Sequence, residues 1–348
     1  MKLGLIGYGA WGTHHARAIA QLPGLELVAI ACCSRATADS ARRDFPHAFV
    51  TTDYAALIAR TDIHTVDVVV PNYLHAEIGC AALAAGKHVL LEKPMATSAA
   101  DCDRLIQAAR TNGRVLSIGH EFRQSTQWGR IKTLIDADTL GKTRFVNINL
   151  FRNQYRSGSE GWRYDRQRVG SWILEEAVHF FDFVLWYMQD QGDPVAVSAH
   201  GTLWRDTPGM YDNFSARIRY ASGAYATITQ CLGGFEHHLT IEVVGEKGAV
   251  RANWAGAMDR DHAPRYDLAV RHAGVVFERG VHEAERIALE PSGEVFELVQ
   301  QLALATNAMR AGHALVSGEE ARKRVILCLE AERSARQGHE LVLDLATR

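Results

Sequence analysis

Lys2-Leu3-Gly4-Leu5-Ile6-Gly7-Tyr8-Gly9-Ala10-Trp11-Gly12 opens the chain, and a helical apolar pattern through Ala16, Ile19, Ala20 and Leu22 follows at once. A short buried strand, a turn spaced G-x-G-x-x-G and a helix are the three parts a dinucleotide pyrophosphate needs. Gly7 permits the turn, Gly9 lets the backbone approach the phosphates, and Gly12 lets helix and strand pack closely, while the helix N-terminus offers unpaired N–H groups. Ala10 and Trp11 share this turn and join the three glycines as cofactor-binding candidates.

The next strand, Leu25 to Ala31, runs into Cys32-Cys33-Ser34-Arg35. An NAD site commonly carries Asp or Glu about 20 residues beyond the glycines to hold the ribose hydroxyls, whereas Arg there holds a 2′-phosphate. No acid occupies positions 32 to 35. Ser34 and Arg35, with Arg42 or Arg43 along the following helix, favour NADP(H) over NAD(H). Strands at His47 to Val50, Thr65 to Val70, His88 to Leu91 and Val115 to Ile118 then alternate with Ala-rich helical stretches. That alternation predicts a doubly wound parallel sheet, a Rossmann domain over residues 1–123.

Ligands of such sheets bind at the carboxyl ends of the strands, which directs attention to two exits. Val89-Leu90-Leu91 suits a buried strand, and Glu92-Lys93-Pro94 follows it directly, with the proline keeping Lys93 extended. Lys93 is therefore the first catalytic candidate, and Glu92 a cofactor-binding one. At the other exit, Pro71 stops the strand of Thr65 to Val70, and Asn72 can cap the next helix and present its amide to a cofactor.

Beyond Gly119 the pattern changes to a helix at Thr126 to Asp138 and strands of strict alternation, such as Val146, Ile148 and Leu150, or Leu239, Ile241 and Val243. This predicts an α+β domain over residues 124–348 with a large, mainly antiparallel sheet. Helices return near Val295 to Arg310 and Glu319 to Arg336, with Gly312 and Gly338 as stops. Within this half, a helix beginning near Trp172 carries Glu175, His179 and Asp182 at i, i+4 and i+7, on one face of an otherwise apolar segment. An acid one turn from a half-buried histidine suits proton abstraction from a hydroxyl. No second histidine lies at ligand spacing, so no metal is expected there.

Composition narrows the class of partner. The 348 residues are 22% charged and 47% hydrophobic with a formal charge of -2, which favours neither nucleic acid nor an anionic membrane surface. No apolar run approaches the roughly 20 residues of a membrane helix. The chain starts on a strand without an export signal, and its six cysteines show no CxxC spacing, which together read as a cytoplasmic protein with reduced thiols.

With these motifs in order, the chain resembles the Gfo/Idh/MocA oxidoreductases, whose members include inositol dehydrogenases and glucose-fructose oxidoreductase. The match lies at Gly7, Gly9 and Gly12, at Pro71, Asn72 and His75, at Glu92-Lys93-Pro94, and at His179 and Asp182. Glu175 stands where the family has Asp, Ala177 replaces a Gly, and only Gly170 remains of a glycine run. The resemblance implies a dehydrogenase or reductase of a sugar, sugar derivative or cyclitol. It makes His179 the base, Lys93 the partner of the same oxygen, and Glu175 the holder of a neighbouring hydroxyl. It adds Arg123 as a substrate contact, His75, Trp162 and Arg163 as cofactor contacts, and a homodimer or homotetramer built on an exposed sheet face. An NAD-dependent glycoside hydrolase of the same fold and a non-catalytic dinucleotide sensor are the rival readings. Arg152, Arg156, Arg163, Arg166 and Arg168, clustered before the helix, suit either an anionic substrate or surface ion pairs.

Overall fold

A computed structural model describes residues 1–203, 210–258, 260–272 and 284–345. Its first half reads β1 (Lys2–Ile6), α1 (Ala10–Gln21), β2 (Glu26–Ala31), α2 (Arg35–Asp44), β3 (Phe49–Thr51), α3 (Tyr54–Ile58), β4 (Thr65–Val68), α4 (His75–Ala84), β5 (His88–Glu92), α5 (Ala99–Thr111) and β6 (Leu116–Gly119). Side chains set several of these starts. Ser34, Asp53 and Ser98 accept hydrogen bonds from the backbone N–H groups of Thr37, Ala55 and Asp101, which caps α2, α3 and α5. The strands pair in the order β3-β2-β1-β4-β5-β6, all parallel, so the order reverses between β1 and β4. That reversal is where ligands of doubly wound sheets bind.

The second half contains α6 (Trp128–Asp136), β7 (Thr143–Phe151), α7 (Arg166–Val169), α8 (Val178–Tyr187), β8 (Ala196–Thr202), β9 (Asn213–Arg219), β10 (Tyr225–Cys231), β11 (His237–Gly245), β12 (Ala249–Gly256), β13 (Arg265–Arg271), β14 (Glu285–Arg286), α9 (Glu294–Arg310), α10 (Gly318–Gln337) and β15 (Leu341–Val342). Nine strands form one sheet in the order β14-β13-β12-β11-β7-β10-β9-β8-β15. Its pairs are antiparallel except β7 with β10. One face is covered: Val146, Ile148, Leu150, Ile241 and Val243 are buried, as their alternation requires. Among the described residues no helix is long and apolar enough to cross a membrane, and all six cysteines are free.

Two compact units share the chain. The first joins Met1–His120 with Gly158–Gly170 and Leu298–Val325; the second holds Glu121–Ser157, Ser171–Glu297 and the chain from Ile326 onward. Two segments beyond residue 123 thus group with the first 120 residues. The reason is a helical face: Leu298, Leu302, Ala305 and Met309 of α9 bury against Leu3, Ala18, Ile19 and Leu90. Each fully buried leucine there contributes about 2 kcal/mol, enough to hold the helix on the sheet.

At the start of α9, Glu297 is buried in the second unit, accepting hydrogen bonds from Ser292 Oγ at 2.9 Å and the Gly293 N–H at 3.0 Å. Burial outweighs these bonds and pushes its carboxyl from 4.5 up to about 7. Between those values the folded chain keeps a proton that the unfolded chain has released. Its contribution, about 3 kcal/mol, is therefore complete below pH 4.5 and lost as pH rises to 7. Denaturant unfolding of wild type should weaken across that window, and Glu297→Gln should remove that part of the slope. An unchanged slope in the variant contradicts the assignment.

Candidate active site

The glycine turn is shaped by two packing demands and one opening. Gly7 has φ +104°, and a Cβ there would lie 2.0 Å from the Val69 carbonyl oxygen. A Cβ on Gly12 would lie 2.0 Å from the Gly7 oxygen, whereas one on Gly9 would meet nothing within 4 Å. Gly9 is also the N-cap of α1 and supplies no side-chain cap. The first-turn N–H groups therefore face a space that an anion can enter, and the residues fit a dinucleotide pyrophosphate.

At the end of β2, Ser34 is spent on its helix, since its hydroxyl accepts from the Thr37 N–H at 3.2 Å. Arg42 reaches Asp39 at 2.8 Å and the Val50 carbonyl at 3.3 Å, and Arg43 donates to Ser40 Oγ. Arg35 is exposed at the first position of α2.

Two strand exits are tied together from behind. His75 is fully buried, with Nδ1 2.7 Å from the Pro94 carbonyl oxygen and Nε2 2.9 Å from that of Val70. Its ring thus sets the loops that carry Asn72 and Lys93, and its nitrogens are occupied by those carbonyls. Asn72 is buried and donates to the Val169 carbonyl at 3.0 Å. Arg168 lies over the Tyr73 ring at 5.2 Å and is joined to Glu160. The segment Gly158–Gly170 therefore packs beside the Pro71 exit, and it carries Trp162, 7% exposed, with the Arg163 guanidinium 4.6 Å over its ring. Lys93 is half-buried, and the Lys93–Pro94 peptide is cis.

In the second unit the expected helix is not uniform. Ile173–Ala177 is a π-helical turn, and regular α8 starts at Val178. A π turn inserts a residue and re-aims its side chains, a device common at functional sites. Glu175 stands within it, 6% exposed, and His179 in the first turn of α8, 2% exposed. Sequence reasoning missed what grips them. Glu121-Phe122-Arg123, three consecutive residues, all reach this helix. Glu121 Oε1 lies 3.8 Å from His179 Nε2, the Phe122 ring stacks on the imidazole at 4.4 Å and 30°, and Arg123 holds Asp182 through two bonds of 2.8 and 2.6 Å. Of the three, only Arg123 drew a reading from the sequence, through the family resemblance. Arg123, expected as a substrate contact, is engaged with Asp182 and lies 5.3 Å over the Trp186 ring.

Neighbouring charges are also matched. Arg152 pairs with Glu176 at 2.7 Å and stacks on Tyr155 at 4.6 Å. Tyr155 accepts from Gln230 Nε2 at 3.0 Å, and burial, then the Glu176 charge, raises its hydroxyl well above 10. Phe122, Trp128, Glu176, Phe180 and Trp254 line a cavity in this unit. Two of the five clustered arginines, Arg152 and Arg168, thus already face acids.

Fold and glycine turn together define a nicotinamide-dinucleotide-binding oxidoreductase. One family model, described as oxidoreductase family with an NAD-binding Rossmann fold, matches residues 1–120, and the GFO/IDH/MocA C-terminal domain matches residues 128–251. The chain belongs to the Gfo/Idh/MocA oxidoreductase family. An inositol 2-dehydrogenase of Gluconacetobacter diazotrophicus is 30% identical over 257 residues, 71% of this chain and 72% of its own length. A 1-carboxy-3-chloro-3,4-dihydroxycyclohexa-1,5-diene dehydrogenase of Comamonas testosteroni is 29% identical over 248 residues, 70% of this chain and 61% of that relative. A solved structure of levoglucosan dehydrogenase in complex with NADH and levoglucosan shares the fold, with TM-score 0.85 over 99% of both chains at 22% identity.

Proposed function

We propose that this chain is a dehydrogenase or reductase that moves a hydride between a nicotinamide cofactor and a secondary alcohol carbon of a sugar, sugar derivative or cyclitol. The observation that carries the reading is the open Gly9 turn at an uncapped helix start, beside the strand exit that presents Lys93. The substrate class is supported by the relatives, whose named substrates are hydroxylated rings. Those relatives carry dehydrogenase names, so the hydrolase and sensor readings are set aside.

A nicotinamide cofactor held at the glycine turn would supply the acceptor for the hydride of the alcohol carbon. His179 takes the hydroxyl proton, Lys93 hydrogen-bonds the same oxygen, and Glu175 holds a neighbouring hydroxyl. Glu121 and Phe122 keep the imidazole in place, which is supported by their approach to it. Trp162 and Arg163 contact the cofactor from their segment beside Asn72. Purified protein with NAD+ and NADP+, tested against aldoses, uronates, inositols and simple glycosides, should reduce cofactor with one class of polyol. Glycoside consumed without net reduction would overturn the reading.

NADP(H) is preferred over NAD(H) in this account, on the strength of Arg35 and of an acid-free β2 end. Arg35→Ala should weaken NADP+ binding about tenfold and leave NAD+ unchanged, as fits the loss of one charge-assisted phosphate contact. Equal effects on both cofactors in a binding titration would remove Arg35 from the site. The outer face of the nine-stranded sheet is the surface proposed for a homodimer or homotetramer.

A further inference from the structure

The second unit holds a cavity beside His179, and the charges along it are arranged in pairs. The Phe122 ring that stacks on the imidazole at 4.4 Å also lines this cavity. Trp128, Phe180 and Trp254 supply further aromatic wall, and Glu176 and Glu294 are its acids. Among the described residues that line it there is no lysine and no arginine. Each acid instead meets an arginine: Glu176 Oε2 lies 2.7 Å from Arg152 Nη1, and Glu294 Oε2 lies 3.4 Å from Arg260 Nε.

Arg152 is committed to this fold. Its Nε donates to the Asn153 carbonyl at 3.2 Å, Nη1 meets Glu176, and the guanidinium lies 4.6 Å over the Tyr155 ring. The two side chains of the pair are 7% and 12% exposed. A cation with so little water needs a counter-ion, and Glu176 supplies it. The cavity therefore meets the acid side of the pair. A carboxylate has about four lone-pair sites, so Glu176 can accept from a ligand hydroxyl while it holds Arg152. A ligand carboxylate would find the opposite: an anion at the wall and a cation already neutralised behind it. Glu175 of the same π turn adds to this. Behind burial, Glu176 raises the Tyr155 hydroxyl, Arg152 opposes it and Glu175 raises it further, so both acids bear on one place.

We infer that Glu176 is a specificity residue: by neutralising Arg152 at the cavity wall, it fits the site to a neutral polyhydroxylated ring and turns away a uronate. The inference rests on Glu175 and His179 forming the substrate site. An aromatic wall suits the carbon face of such a ring, and a few placed acids suit its hydroxyls. Rejection of the anion comes from a like charge at the wall, a repulsive element of the kind that separates near-isosteric ligands.

Sugar pairs that differ only in a terminal hydroxymethyl or carboxylate, glucose with glucuronate and galactose with galacturonate, test this by calorimetric titration of the protein loaded with NADH or NADPH. Wild type should bind the neutral member at least about tenfold more tightly. Glu176→Ala opens the wall to Arg152, so uronate affinity should rise and the ratio fall to about one or invert. General damage would weaken both members of a pair alike. Adding Arg152→Met to Glu176→Ala should abolish the gain, and this double variant leaves neither charge of the pair buried alone. Equal affinities or a uronate preference in wild type, or an unchanged ratio in Glu176→Ala, overturns the inference. The wild-type ratio decides even where Glu176→Ala does not fold. Acetate supplies a readout independent of any sugar. Against chloride at equal ionic strength, it should raise the Tm of Glu176→Ala and leave wild type where it stands; equal shifts in both proteins overturn the assignment of Glu176. Failure of the dehydrogenase reading would appear as absent cofactor reduction, with the binding ratio and the acetate shift unaffected.

Discussion

Lys93→Ala should lower kcat by a factor on the order of 10³ while cofactor affinity stays near that of wild type. Lys93 is not part of the glycine turn; it leaves β5, and its loop is held from behind by His75. Removing its ammonium leaves the pyrophosphate cradle at Gly7, Gly9 and Gly12 intact. What is lost is a donor to the reacting oxygen, an interaction that strengthens as that oxygen gains charge. The loss should therefore fall on kcat and kcat/KM equally. Fluorescence titration with cofactor, alongside steady-state rates, separates the two quantities. Near-normal kcat with unchanged affinity would take Lys93 out of the mechanism.

Arg123→Leu should destabilise the folded chain by about 3–5 kcal/mol, the cost of leaving one member of a buried pair uncompensated. Arg123 and Asp182 are 7% and 2% exposed at their side chains, and the guanidinium meets the carboxylate at 2.8 and 2.6 Å. Asp182 lies one turn along α8 from His179, so its uncompensated charge would disturb the proposed base as well. The double variant Arg123→Leu with Asp182→Leu should recover much of the loss, because neither charge then remains buried. Urea unfolding of the three variants checks this. A direct substrate contact predicts otherwise: a raised KM at unchanged stability, with no rescue from the second substitution.

The parts most legible in the sequence are those whose chemistry is local. The glycine turn is a local demand: a Cβ at Gly7 or Gly12 would strike a carbonyl oxygen. Alternation at Val146, Ile148 and Leu150 announces a sheet with one covered face, though not that β7 would pair in parallel with β10. The less legible parts depend on long-range packing. Nothing local in Leu298 to Met309 says that this face belongs against Leu3 and Leu90, nearly the whole chain away. The spacing of Glu175 and His179 reads as regular helix, because a π turn leaves no mark in apolar periodicity. Glu121 and Phe122 carry no motif of their own, and only the fold brings them to His179. Asp67, a lone acid in the strand Thr65-Val66-Asp67-Val68, was a signal available to reading, since an acid buried in a parallel strand needs a cation; His15, three residues after Gly12, supplies it.

The central claim is hydride transfer from a polyol carbon to the nicotinamide, and the most direct measurement follows that atom. A polyol that supports turnover, deuterated at the carbinol carbon, should yield reduced cofactor carrying the deuterium, with turnover by Lys93→Ala and by His179→Gln each strongly reduced. Reduced cofactor without the label, or label retained in a product while the cofactor ends oxidised, would contradict the account.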